Sequence, residues 1–211
     1  MSQSISELWE SHDEVEWRRA LPSYWEAPTV RRNLELEKFI DKLDSEVIRK
    51  ADSETWRAFL RAYFQWKFRG TYVGRRLADL ESIEPERLFR IKDLIFTSDP
   101  ANIRRAIERA EYIKGLGPAD ASGLLAVLFP KSFGTVDQFV VKALLEVPSL
   151  PEEAKLVKMK PQNLTDDDAV LLIGILRRKA KQLNELFHTE EWTPRKIDKI
   201  LWTLRSGDGC Q

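Results

Sequence analysis

The sequence predicts an all-α fold. Apolar residues recur mainly at helical spacing, and no stretch shows the strict alternation of a half-buried strand. Clusters of Val, Ile and Thr are short, and several helix starts are marked by capping residues.

The elements follow in order. Helices are expected near 4–20 and 30–49, on either side of a crossing segment, 21–28, that contains Pro22 and Pro28. Further helices fall near 53–68, 70–80 and 85–95. Ser98-Asp99-Pro100 opens a helix near 100–113, with a capping side chain and a proline in the first turn. Helices near 119–129, 136–146 and 152–159 come next. Thr165, with Asp168 three residues on, opens 166–187 as a capping box in which Asp replaces Glu. Thr193-Pro194 opens 194–204 in the same manner. These starts put hydroxyl or acidic groups where the first N–H groups of a helix need acceptors. No repeat at a fixed period is present, and residues 206–211 read as a loose tail.

Length and composition bound the function. The 211 residues suit one domain, or two small lobes sharing a core. Hydrophobic residues at 43% and charged residues at 32% exclude general disorder and collagen-like chains. No apolar run reaches the ~18 residues of a membrane span. The acidic start, MSQSISELWESHDEVEW, lacks the apolar region of a signal peptide. Cys210 is the one cysteine, which excludes an internal disulfide, a zinc cluster or an iron–sulfur site built on cysteines; no metal and no cofactor is expected. A reducing, cytoplasmic setting is the simplest reading. Lys+Arg and Asp+Glu both number 34, so the net charge is zero. That argues against non-specific coating of nucleic acid but leaves room for a local basic face, because phosphate contacts depend on nearby charge.

The informative stretch is AEYIKGLGPADASGLLAVLFPKSFGTVDQFVVKALLEV, residues 110–147. One helix ends at Tyr112-Ile113, Lys114-Gly115-Leu116-Gly117-Pro118 follows, and a second helix begins. Two glycines flanking a leucine allow a sharp turn and leave N–H groups uncovered where the helix dipole favours an anion. Leu116 would point inward and pin the helices together, and Ala121 is small enough for their close approach. The unit is a helix–hairpin–helix, a phosphate clamp indifferent to base sequence.

Together with Val136-Asp137-Gln138-Phe139, this stretch resembles the helix–hairpin–helix/Gly-Pro-Asp (HhH-GPD) superfamily of DNA glycosylases. The family pattern is a Leu-Pro-Gly-Val-Gly hairpin, a helix, and a catalytic aspartate in a Val-Asp-Thr-His-like segment. Weaker agreement extends to Trp56–Leu80, where Gln65 is the nearest candidate for the glutamine that approaches DNA, and to residues 193–202. The resemblance implies a two-lobed helical bundle with a DNA cleft between the lobes. Residues 1–205 would make one such fold, with 55–145 as the hairpin-bearing lobe and 1–54 plus 146–205 as the other. It also implies a monomer acting on double-stranded DNA that carries a modified or damaged base.

The implied activity is that of a monofunctional glycosylase, which flips the base out and hydrolyses its N-glycosidic bond to leave an abasic site. Asp137 would be the catalytic carboxylate, stabilising the positive charge that builds on the sugar and orienting water. The plainer reading is that Asp137 only caps its helix. Lys114, Gly115, Leu116, Gly117 and Ala119 would form the hairpin's DNA-binding set. Ala119 stands where lyase members carry a nucleophilic lysine, so no Schiff base is expected from that position. Gln138 and Phe139 replace the family's Thr and His, and Lys114 replaces the proline before the hairpin.

Residues 61–76, RAYFQWKFRGTYVGRR, carry Arg61, Lys67, Arg69, Arg75 and Arg76 with no acid, and five aromatics are interleaved. Basic groups there can grip phosphates and aromatics can stack on bases; equally, half of the aromatics must be core. Within this stretch Gln65 is assigned to the vacated stack and Lys67 and Arg69 to the backbone. Trp66, Gln138 and Trp25 are the candidate pocket residues. The alternative to an enzyme is a non-enzymatic DNA-binding protein that reuses the hairpin. Which base is excised, and whether in repair or in defence, stays open.

Overall fold

The computed structural model describes residues 4–148 and 150–204. All regular structure among them is helical. The tail at 206–211, with Cys210, lies outside the described residues.

The first expected helix is two. α1 (Ile5–Glu10) is closed at Ser4 by a capping box with Glu7, and α2 (Glu14–Ala20) starts afresh because the Asp13 side chain accepts from the Val15 N–H at 2.8 Å. The two-proline crossing is itself partly helical, as α3 (Ser23–Glu26) and α4 (Pro28–Arg31). The expected helix near 30–49 breaks into α4, α5 (Leu34–Asp41) and α6 (Ser45–Lys50). Asp44 caps the last by accepting from the Glu46 N–H at 2.9 Å. In both corrections an aspartate that fits a helical period caps a new helix instead, as short acidic side chains do.

Further along, bounds and expectations agree more closely. α7 (Ser53–Lys67), α8 (Thr71–Glu81) and α9 (Pro85–Phe96) form in turn. α10 (Ile103–Ala110) starts later than Ser98-Asp99-Pro100 suggests. Asp99 closes a turn onto the Ala101 N–H, and Asn102 is the cap, accepting from the Arg105 N–H at 3.0 Å. α11 (Pro118–Leu128), α12 (Gln138–Leu145) and the four-residue α13 (Glu153–Leu156) follow. α14 (Asp166–Leu186) opens with the expected capping box. Thr165 Oγ1 accepts from the Asp168 N–H at 3.2 Å, and Asp168 accepts from the Thr165 N–H at 2.9 Å. α15 (Pro194–Leu204) completes the order, with Thr193 Oγ1 accepting from the Lys196 N–H.

One hydrophobic core runs from Ile5 to Leu201. Trp17, Trp56, Tyr63, Phe64 and Phe133 are its largest fully buried side chains. Burying each is worth roughly 1.5–3 kcal/mol over leaving it exposed. α7 packs on α5, α8 and α9; α10 packs on α9, α11 and α14. α15 lies across α12, α14 and α3. No helix among the described residues is long and apolar enough to cross a membrane.

Candidate functional site

The turn between α10 and α11 has the geometry its glycines call for. The Ile113 N–H donates to Ala110 O at 3.1 Å and the Leu116 N–H to Ile113 O at 3.1 Å, which folds the chain back. Gly115 sits at φ +95°, a conformation that side chains disfavour. A Cβ there would also lie 2.7 Å from Nη1 of Arg76. Ile113 and Leu116 are buried and join the two helices to the core. Gly117 is the N-cap of α11, so no side chain occupies the acceptor position at that helix start. Lys114 is exposed and pairs with Asp79 at 2.9 Å, and this contact holds the Asp79 carboxyl below its ordinary range. The Arg76 side chain therefore stands beside the turn, and its guanidinium lies 5.3 Å from the Phe68 ring centroid. Ala119 is half-buried in the first turn of α11 and packs against the core.

Asp137 is the N-cap of α12. Its Oδ1 accepts from the Phe139 N–H at 2.9 Å and the Val140 N–H at 3.3 Å. Both cap bonds use one oxygen of the carboxyl. The backbone before it is held from two sides. From α11, Ser122 Oγ accepts from the Val136 N–H at 3.0 Å and donates to Ala119 O at 2.7 Å. From α15, Asp198 Oδ2 accepts from the Thr135 N–H, while Arg195 Nη1 donates to Thr135 Oγ1 at 2.9 Å and to Asp198 Oδ1 at 3.1 Å. Gly134 fits flush against this joint: a Cβ would lie 2.6 Å from both Leu176 Cδ1 and Pro194 O.

Asp137 opens into a cavity of about 310 Å³. Its walls carry four rings: Tyr24, Trp66, Phe139 and Trp202. Trp202 lies 5.6 Å from Tyr24 and 6.5 Å from Phe139, both near edge-on, as aromatic quadrupoles favour. Trp66 carries the Arg195 guanidinium 5.3 Å from its ring centroid. Hollows of about 340 Å³ beside Arg177 and Trp192, and of about 480 Å³ beside Tyr112 and Lys114, each have a single ring in their lining and no contact with Asp137.

The cavity is strongly charged for its burial. Asp198 and Arg195 are both buried. Burial pushes the Asp198 carboxyl up to about 6, with Arg195 opposing. Burial also works against the Arg195 charge, but Asp198 and the other nearby anions outweigh it, holding that guanidinium above its ordinary range. Lys199 pairs with Asp41 and sits 4.9 Å from the Trp25 ring and 5.0 Å from Tyr24. Burial raises the Tyr24 hydroxyl; it donates to Glu37 Oε2 at 2.8 Å. Asp120, on the first turn of α11, is raised by burial, and Lys67, Arg76 and Asp137 all act on it electrostatically. The α11 start and the cavity mouth are therefore neighbours.

Of the residues singled out in sequence, Asp137, Trp66, Lys67 and Arg69 line the cavity together. Trp25 stands behind the wall, packed edge-on against Tyr24 at 5.4 Å. Gln138 is half-buried as the first residue of α12 and is not in the lining; Gln65 is exposed on the last turns of α7 and is not in it either. Sequence reasoning missed Glu37, Thr135, Arg195, Asp198 and Trp202. A signal existed for three: Asp198 shares a helical face with Leu201, Arg195 stands one turn before Asp198, and Glu37 shares a face with Ile40. Charge on an apolar stripe marks a buried polar site.

No protein-family model, no curated protein and no solved structure matches the chain. Among the described residues no cluster of His, Cys, Asp and Glu is suited to hold a metal ion.

Proposed function

We propose that this protein is a monofunctional DNA glycosylase of the HhH-GPD kind. One observation carries the reading: a carboxyl group, Asp137, opens into a ring-walled cavity, and its segment is bonded to the helix that follows a Gly-Leu-Gly turn. A flipped base is a flat ring and stacks on such walls. The second Asp137 oxygen, unused by the cap, faces the sugar. The C1′–N bond breaks with its electron pair leaving on the base. Asp137 stabilises the resulting cation and takes a proton from the water that bonds to C1′.

The phosphate beside the lesion rests on the turn at Gly115, Leu116 and Gly117, with Lys114 and Ala119 flanking it. Lys67 and Arg69 steady the backbone at the cavity mouth, and exposed Gln65 fills the vacated stack. Ala119, in place of a lysine, leaves no amine for a Schiff base at that position. The reading takes 55–145 as one lobe and 1–54 with 146–205 as the other. In support, Trp66, Asp137 and Phe139 come from the first, and Tyr24, Glu37, Arg195 and Trp202 from the second. The partner is double-stranded DNA with a modified or damaged base, met by a monomer in the cytoplasm without a cofactor.

The test is base release from duplexes carrying a panel of modified bases, with and without hot alkali. Strand breaks that need alkali are expected for the wild type and are lost in Asp137→Asn. Asparagine keeps an oxygen for the cap, so DNA affinity stays within a few-fold of wild type. Breaks without alkali would overturn the monofunctional assignment. A second reading, a non-enzymatic DNA-binding protein, is favoured by the two cap bonds to Asp137 Oδ1. It is selected if DNA binds, Lys114→Glu weakens that binding, and no base is released.

A further inference from the structure

The inner wall of the cavity holds an acid to which the hydrolysis above gives no task. Glu37, on α5, is 6% exposed and lines the cavity. Its neighbours are differently placed. Asp198 is paired with Arg195, and Asp41 with Lys199. Glu37 makes no ion pair among the described residues; its one hydrogen bond is from the Tyr24 hydroxyl to Oε2 at 2.8 Å. Arg195, which lines the same cavity, already spends its Nη1 on Thr135 and Asp198. A buried acid with one oxygen unbonded costs several kcal/mol unless donors reach it. The open side of Glu37 is the cavity.

Resting on the glycosylase reading, we propose that Glu37 selects the base by its hydrogen-bonding edge. The base it takes presents two adjacent donors, a ring N–H beside an exocyclic amino group, as guanine does and as isocytosine does when free. The argument is geometric. Two carboxyl oxygens accept a pair of parallel N–H donors, and Oε2 keeps a lone pair after the Tyr24 bond. The rings of Tyr24, Trp66, Phe139 and Trp202 line the same cavity as Glu37, so a flat base can lie against a ring while its edge meets the carboxylate. Uracil presents a carbonyl oxygen in place of the amino group, and hypoxanthine presents only a C–H there. The uracil oxygen would face Glu37 acceptor to acceptor in a site of low dielectric, an arrangement that rejects rather than tolerates. The volume, about 310 Å³, lies at the small end of ligand pockets, which suits a single base.

The test uses the full chain and free bases, so that it needs neither DNA nor turnover. Isocytosine is compared with uracil, and guanine with hypoxanthine; within each pair only the amino group changes to oxygen or hydrogen. Binding is followed by tryptophan emission, because Trp66 and Trp202 form two of the walls. The amino-bearing member of each pair is expected to bind at least about tenfold more tightly. Glu37→Gln, which keeps the size and an oxygen for Tyr24, erases that preference while far-UV circular dichroism stays native. A preference that survives Glu37→Gln overturns the proposal, as does equal or absent binding of the paired bases by the wild type. The same panel in duplexes separates the two claims. Selective binding of free bases with no base release sinks the enzyme reading and leaves the edge selection standing. Base release without edge preference does the reverse.

Discussion

At the scale of single residues, the sequence posed Asp137 as either a helix cap or a catalytic acid, and the geometry makes the two compatible. Oδ1 holds the start of α12 and the remaining oxygen is left to the cavity. A residue that is fixed by its own cap is better oriented for chemistry than a free one. Glu111 is a residue with a measurable signature of another kind. Burial, with Asp166 and Glu108 adding repulsion, raises its carboxyl from 4.5 to about 7. Between those values the folded chain binds more protons than the unfolded one, so this group lowers stability as pH rises through the window. Glu111→Gln is therefore expected to raise the melting temperature at pH 8, with the gain shrinking toward pH 5. An equal gain at both pH values would mean that charge is not the cause.

Among elements, the joint between the 133–136 segment and α15 does more than its length suggests. It sets the direction of Asp137 through Thr135, Arg195 and Asp198. Gly134→Ala would drive a methyl group against Leu176 and the Pro194 carbonyl. Overpacking of this kind costs about 1–3 kcal/mol, or several degrees in melting temperature for a chain of this size. If the proposed activity holds, slower base release should accompany the lower melting temperature; an unchanged melting temperature would show that the joint yields freely. Most helices were legible here because their starts are written locally, as Thr165 with Asp168 and Thr193 with Pro194 illustrate. The failures at 4–20, 30–49 and Ser98 share a cause: Asp13, Asp44 and Asn102 fit a helical period but act as caps, and period alone cannot tell those roles apart. The hairpin and Asp137 were legible because they lie close in sequence. Glu37 and Asp198 left only the trace of a charge on an apolar face, and Trp202 none, because their meaning depends on a partner brought from far along the chain.

For the molecule as a whole, net charge is zero and the basic stretch at 61–76 is partly offset, since Arg61 pairs with Glu81. The cavity is a whole-chain property too: its rings come from residues 24, 66, 139 and 202. That arrangement has a kinetic meaning. Helices assemble from neighbours in sequence within microseconds, whereas joining distant segments must wait for loop closure and core packing. In refolding, far-UV ellipticity is expected to return before tryptophan emission reaches its native value; recovery of both in one phase would contradict this order. A chain halted part of the way through folding would then own its helices and its turn but no receptacle. If the proposed activity holds, such a chain would meet a duplex without attacking it, and the late union of Tyr24, Trp66 and Trp202 would tie reactivity to completed folding.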